Sequence, residues 1–364
     1  MHPAPTGEQQ ELKSAVRELC AREVTVERLL AWEQDPLGSD ARLARAVAEL
    51  GWLGLAVPAV VGGSGGSLVD AACLIEECSR GLLPRPLIGA MRGVLALVDL
   101  DPAHALLPAL LAGRQTLTLA LDEEGARSPA AYRTTVAAAG AKGSVSGDKA
   151  YVLDAASADL HLVAAREGAG VSLVLVERRE PAVTLRPLRS FGSDRQAHVR
   201  YAGAEVISRL SPAGKGEATL ARMWRRQVAL ALAEMVGGMD AVLEMTVAYV
   251  KDREQFGQKI ALFQAVRHQV ADMGTTLTAA RHLAWQAIAR IAAGTETGTE
   301  LASAAAFVGQ AFKHLCWTGH HLHGGAGFVV EHRMRFYSER AQSLCIRYTP
   351  EAPALATIAD ALLE

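Results

Sequence analysis

The feature that most constrains the fold is a change of texture along the chain. Residues 116 to 212 carry short β-rich segments, among them "TLTLAL", "AYVLDA", "LHLVAA", "VSLVLVE" and "AHVRYAGAEV", separated by turn residues. Before them, residues 8 to about 115 read as helices. "GEQQELKSAVRELCAREV" places Leu12, Val16, Leu19 and Val24 near helical spacing, and Ser39 is a candidate N-cap for the next helix. After them the helices return and are long. "ATLARMWRRQVALALAEMVGGMDAVLEMTVAYVKDR" is near-continuous helix material with Gly237 and Gly238 inside it. Long Ala-rich helices suit a bundle. The expectation is an α+β chain: an N-terminal α-helical domain over 1–115, a β-barrel or sandwich domain over 116–212, and a C-terminal four-helix bundle over 213–364.

Composition narrows the function classes. Half of the 364 residues are hydrophobic, so a folded globular protein is expected. A net charge of −2 gives no support to a nucleic-acid or anionic-membrane partner. No signal peptide is visible after Met1, and no apolar run reaches the roughly 20 residues of a membrane span, so a cytoplasmic location is expected. The five cysteines Cys20, Cys73, Cys78, Cys316 and Cys345 form no paired spacing that reads as zinc or a disulfide framework. The glycines 62, 63, 65 and 66 follow no strand and read as chain punctuation.

Two motifs stand apart. One is "REQFGQKIALFQAVRHQVADM" from Arg253, and the other is "HLHGGAGFVVEHRMRFYSERA", 321 to 341. With the order α–β–α and the segment "ELGWLGLAVPAVVGGSGGS", they resemble the acyl-CoA dehydrogenase family along nearly the whole chain. The resemblance implies α,β-dehydrogenation of an acyl thioester, with a carboxylate removing the α-proton and the β-hydrogen leaving as hydride to FAD. It also implies FAD shared across a subunit interface, with a β-domain holding the ring and the neighbouring subunit holding the adenine half. On that reading Arg253 offers guanidinium donors to the pyrophosphate, Phe256 packs on the adenosine side, and Gly257 lets the backbone come close. Gln258 and His321 supply hydrogen bonds. Gly324, Gly325 and Gly327 open the backbone N–H groups of their loop to the dinucleotide. Without the family context, Arg253 would be a charged helix boundary and Gly324–Gly325 a helix C-cap.

The resemblance also exposes what is missing. Family members carry the catalytic Glu at one of two positions, which fall here on Gln227 and Tyr348, and a glutamine cannot abstract a proton. In "DEEGARSP", 122 to 129, only Glu123, Gly125, Ala126 and Ser128 fit the family's ring-side segment; Arg127 stands at a glycine position and Pro129 replaces an Asp. Tyr151 stands where a Trp beside the flavin is expected, and equally reads as a half-buried strand aromatic. This selective loss resembles the degenerate subunit of α2β2 acyl-CoA dehydrogenases of actinobacterial steroid side-chain breakdown. Such a chain lends its adenine-side residues to a homologous partner that supplies the Glu.

Two other readings stay open. One is a self-sufficient homo-oligomer acting on an acyl-CoA or carrier-bound acyl chain, with a displaced base such as Glu234, Glu244 or Glu351. The other is a structural or thioester-binding relative without redox chemistry. His320, His321 and His323 cluster near Glu331 and His332, but a hydrogen-bonding role near the dinucleotide fits them better than metal. Arg222, Arg225 and Arg226 with Trp224 could meet a CoA phosphate or a partner, or form a solvated basic helix start.

Overall fold

The computed structural model describes residues 5–38, 40–126, 128–137, 142–191, 194–295 and 298–363. Ser39 and Arg127 lie outside the described residues. The N-terminal helices are α1 (Gly7–Glu23), α2 (Val26–Gln34), α3 (Ala41–Glu49), α4 (Leu68–Arg80), α5 (Arg85–Leu100) and α6 (Leu107–Leu111). Strands β1 (Leu117–Ala120), β2 (Thr135–Ala137), β3 (Ser144–Leu153), β4 (Leu160–Glu167), β5 (Gly170–Glu177), β6 (Val183–Leu188), β7 (Gln196–Glu205) and β8 (Ser208–Arg209) follow. The C-terminal part runs α7 (Glu217–Asp252), a small hairpin of β9 (Glu254–Gln255) and β10 (Gln258–Lys259), α8 (Gln264–Ala293), α9 (Gly298–His323), α10 (Met334–Tyr348) and α11 (Glu351–Leu363). Among the described residues no helix is long and apolar enough to cross a membrane.

The chain divides into two compact units. One combines Trp32–Gly66 with Pro84–Trp224 and contains the sheet, whose strand order is β6-β7-β3-β2-β4-β5-β8, with β1 pairing β4 in parallel. Alternation explains the unbroken apolar runs of β4 and β5. Leu160, Leu162, Leu173 and Leu175 face a core shared with Val94 and Leu97 of α5 and Leu107 and Leu110 of α6. Val163, Ala165, Val174 and Val176 face a second core with Val145, Val199 and Tyr201. A strand buried on both faces has no polar alternate positions to show.

The other unit combines Met1–Ala31, Ser67–Leu83 and Arg225–Glu364. Here α1 and α4 pack beside the C-terminal helices. Thr6 caps α1 and Ser67 caps α4, each in a reciprocal capping box. Buried carboxylates of α4 knit the helices: Glu76 accepts from Lys13 (3.0 Å) and Trp285 (2.8 Å), and Glu77 from Arg17 (2.8 and 2.9 Å). The 36 residues of α7 give a helix about 54 Å long. The glycine pair inside it does not break it, because tight packing demands it. A Cβ on Gly237 would lie 1.9 Å from the Glu76 carbonyl oxygen, and one on Gly238 would lie 2.3 Å from the Phe312 ring.

Candidate functional site

The Arg-x-x-Phe-Gly segment is a two-residue β-hairpin rather than a plain helix boundary. The Arg253 N–H still donates to the Tyr249 carbonyl (2.8 Å), which ends α7, and the Ile260 N–H then donates back to the Arg253 carbonyl (2.9 Å). Gln255 pairs with Gln258 and Glu254 with Lys259. The turn residues Phe256 and Gly257 sit at φ +54° and +78°. Two successive positive φ angles mark a type I′ turn, which glycine adopts freely and a bulky side chain does not. Phe256 is held there with 92% of its surface exposed, its ring edge-on to Phe263 at 6.1 Å. No atom lies within 4 Å of a Cβ built on Gly257, so the glycine answers the turn and leaves open space beside it. Arg253 and Gln258 are also exposed.

The second motif begins where α9 ends. Gly324 adopts φ +57°, and a 3-10 turn spans Gly324–Phe328. Gly324 and Gly325 are exposed with nothing within 4 Å of an added Cβ, whereas Gly327 is buried with His323 Cβ only 2.9 Å from such an atom. Two of the three glycines therefore present open backbone, and the third is required by internal packing. His321 is exposed and stacks on Trp317 one turn earlier. The other histidines face inward. His320 contacts the Ser338 hydroxyl (2.7 Å) and stacks on Phe328, and the Met334 N–H donates to His332 Nδ1 (3.2 Å). His323 donates from Nδ1 to the Gly319 carbonyl (2.8 Å), stacks on Tyr249 at 4.4 Å and meets His332 edge-on at 4.9 Å. Burial holds all three rings below the usual histidine range; the charges of their neighbours add to this at His320 and His332. Among the described residues no group of three His, Cys, Asp or Glu side chains is placed to hold a metal ion.

The structure adds no base at either family position. Gln227 is fully buried in α7 and Tyr348 is buried at the end of α10. Of the displaced candidates, Glu244 is a largely exposed carboxylate ion-paired with Arg80, which also binds Asp240 (3.0 Å). It stands at the rim of a cleft of about 400 Å³ with Arg17, Arg333 and Tyr337. Glu351 is exposed and accepts from Gln310 (2.8 Å), while Glu234 is buried inside α7. Arg222 donates to the Asp99 carbonyl (3.4 Å), which favours a structural helix start over a phosphate site.

In the sheet unit, Glu123 is turned into the protein. One oxygen accepts from Lys149 (2.8 Å) and the Thr134 N–H (3.2 Å), the other from the Arg133 N–H (2.6 Å). Lys149 is completely buried, donates also to the Leu121 carbonyl (3.1 Å), and lies 3.9 Å over the Tyr132 ring. Burial brings its ammonium down to about 8 against the pull of Glu123. Burial alone would raise the Glu123 carboxyl, but Lys149 and the two N–H donors hold it below the usual range. Sequence reasoning missed this pair, because a lysine within a strand reads as solvent-facing. Tyr151 lies where β3 shifts register against β7, at φ +55°, partly exposed and tilted against His198.

Comparison with known proteins places these features. Residues 6–99 match the acyl-CoA dehydrogenase N-terminal domain and residues 218–362 the acyl-CoA dehydrogenase C-terminal domain. Over 338 residues the chain is 30% identical to the acyl-CoA dehydrogenase IpdE2 of Mycobacterium tuberculosis, covering 93% of this chain and 92% of that one. The chain belongs to the acyl-CoA dehydrogenase family. Among solved structures it superposes on a variant of the Tcur3481-Tcur3483 steroid ACAD with a TM-score of 0.89 and 28% identity, covering 98% of each chain. A chain of the ChsE4-ChsE5 complex from Mycobacterium tuberculosis shares the fold at a TM-score of 0.89 and 24% identity, covering 99% of this chain and 98% of that one. The architecture is the family's: N-terminal helices, a central mixed sheet and a C-terminal helical domain.

Members of this family are oxidoreductases that bind FAD. The residues expected on the adenine side have the exposure such a group needs: Gly257, Gly324 and Gly325 leave room for a ligand against the backbone, and Phe256, Arg253, Gln258 and His321 face outward. Beneath the same loop the buried Nε2 of His323 has no hydrogen-bond partner among the described residues. On the ring side, Glu123 is committed to Lys149.

Proposed function

We propose that this chain is a subunit of a heteromeric, FAD-dependent acyl-CoA dehydrogenase that supplies the adenine-side half of the cofactor site to a homologous partner. The observation that carries the proposal is a contrast. The hairpin and the glycine loop turn their dinucleotide residues outward, while the two family positions for the base hold Gln227 and Tyr348. FAD, when bound, would supply the acceptor for the hydrogen lost from the acyl β-carbon. This chain's part is to bind and orient. Arg253 would offer the fixed fork of guanidinium donors to the pyrophosphate. Phe256 would lie against the adenosine, and Gln258, His321 and the open backbone at Gly324 and Gly325 would provide hydrogen bonds, with Gly327 closing the turn behind them. The carboxylate that takes the α-proton comes from the partner, in an assembly of two chains of each kind.

Similarity to the Tcur3481-Tcur3483 steroid ACAD, whose name joins two gene products, supports both the heteromeric reading and a CoA thioester with a steroid side chain as substrate. A self-sufficient enzyme with Glu244 as base is less well supported, since that carboxylate is already paired with Arg80 at the surface. The test is co-expression with a family homologue that carries a Glu at the position of Gln227 or Tyr348. The expected result is dehydrogenase activity in the mixed complex and none in either chain alone. Full activity in this chain alone would overturn the proposal.

A further inference from the structure

The two outward-facing motifs are far apart in sequence, yet one contact joins them. Tyr249 lies in the last turn of α7, and its carbonyl accepts the Arg253 N–H that starts the hairpin. Its ring stacks on His323 at 4.4 Å and 23°. His323 is the last residue of α9 and directly precedes Gly324. We infer that the Tyr249–His323 stack is a positioning contact that sets the hairpin and the glycine loop in register to grip one dinucleotide, and that protonation of His323 releases that grip. This rests on the half-site reading and extends it to residues that touch no cofactor.

The surroundings explain why the contact responds to acid. The Gly319 carbonyl fixes the Nδ1–H tautomer of His323, so a second proton must go to Nε2, which is buried and has no hydrogen-bond partner among the described residues. Around that ring, α7 contributes Tyr249, α9 the Gly319 carbonyl and His320, and the 3-10 turn Gly327. The segment after the turn contributes His332. His320 and His332 are themselves held by Ser338 and by the Met334 N–H of α10. Charged residues beside these elements include Lys251, Asp252 and Arg253 after Tyr249, and Glu331 and Arg333 on either side of His332; the first four are exposed, and Arg333 donates to the Gly81 carbonyl (3.3 Å). An imidazolium at His323 would thus be desolvated, without an ion pair among the described residues and next to two further imidazoles. Opening the loop lets water reach it. The closed arrangement is therefore stable above the ordinary histidine pKa and loses stability as pH falls through the depressed value of the closed state.

The test uses the mixed complex, or the homo-oligomer if that binds flavin. Flavin retained after gel filtration is measured between about pH 8 and pH 5 for wild type, Tyr249→Phe, Tyr249→Leu, His323→Asn and Arg253→Ala. Tyr249→Phe keeps the stack and should follow wild type. Tyr249→Leu should weaken retention about tenfold at every pH, the effect of losing roughly 1.4 kcal/mol. His323→Asn loses the stack, so retention at pH 8 should fall as in Tyr249→Leu, but it keeps a donor for the Gly319 carbonyl and cannot titrate, so the further loss of flavin in acid should flatten. If His323→Asn retains the wild-type acid loss, or Tyr249→Leu retains flavin as wild type does, the inference is wrong. Arg253→Ala separates the two levels: unchanged flavin there overturns the half-site reading itself. Should Tyr249→Leu fail to fold, the comparison of His323→Asn with wild type decides alone.

Discussion

Replacing Lys149 by methionine tests the physical account of the sheet unit most sharply. The lysine stem is long enough to be matched by Met, so the change removes a charge with little change in volume. What remains is the Glu123 carboxylate, buried and served only by the Arg133 and Thr134 N–H groups at 2.6 and 3.2 Å. Removing one partner of a buried ion pair costs about 3–5 kcal/mol, because the other charge is left uncompensated. For a unit of this size, with about 2–4 °C per kcal/mol, the melting temperature should fall by about 6–20 °C. The double variant Lys149→Met with Glu123→Gln removes the stranded charge and should be more stable than the single variant by at least about 1 kcal/mol. Calorimetry of the three proteins, with near-ultraviolet circular dichroism to confirm packing around Tyr132, makes the comparison. A Lys149→Met protein melting within about 1 °C of wild type would refute the reasoning, as would a double variant no better than the single.

Other consequences can be checked in the same way. Gly237→Ala should destabilise the helical unit by about 2 kcal/mol or more, since its Cβ meets the Glu76 carbonyl; Gly257→Ala, with open space around it, should cost only about 1–2 kcal/mol from its positive φ. Thermal melts of both would expose a wrong ranking. Burial lowers His161 to about 4, with its ring held by the Tyr201 hydroxyl (2.9 Å) and the Ala155 carbonyl. The unfolded chain takes that proton first, so the stability present above pH 6.5 is lost as pH falls towards 4, by up to about 3 kcal/mol. Urea titrations of wild type and His161→Gln between pH 7 and pH 4.5 should show a shallower acid slope in His161→Gln, because His320, His323 and His332 still contribute theirs. Arg80→Ala should free Glu244 yet produce no acyl-CoA oxidation in this chain alone; activity gained there would revive the displaced-base reading.

The fold was legible where periodicity reports burial directly. "LHLVAA" and "VSLVLVE" fall within β4 and β5, because alternate residues of those strands serve the two cores, and "VTLRPL" coincides with β6, whose Val183 and Leu185 pack against one of them. The long helix with its glycine pair was legible as a helix, but not the reason for the pair, which is the close approach of Glu76 to Gly237 and of Phe312 to Gly238 from distant parts of the sequence. The two motifs were legible as positions and not as conformations. Phe256 gives no turn signal, since an aromatic residue is disfavoured at positive φ, so the hairpin was hidden behind a residue under strain. The Glu123–Lys149 pair, the Arg80–Glu244 pair and the Tyr249–His323 stack join residues far apart in sequence, and no local pattern announces them.

The central claim is a divided cofactor site, and flavin stoichiometry tests it most directly. The chain is expressed alone and together with a homologue carrying the family Glu, and the visible spectrum and solution mass of each product are measured. The account predicts a colourless product from this chain alone and a yellow mixed assembly with one flavin per pair of chains. A yellow homo-oligomer of this chain with one flavin per subunit would contradict it.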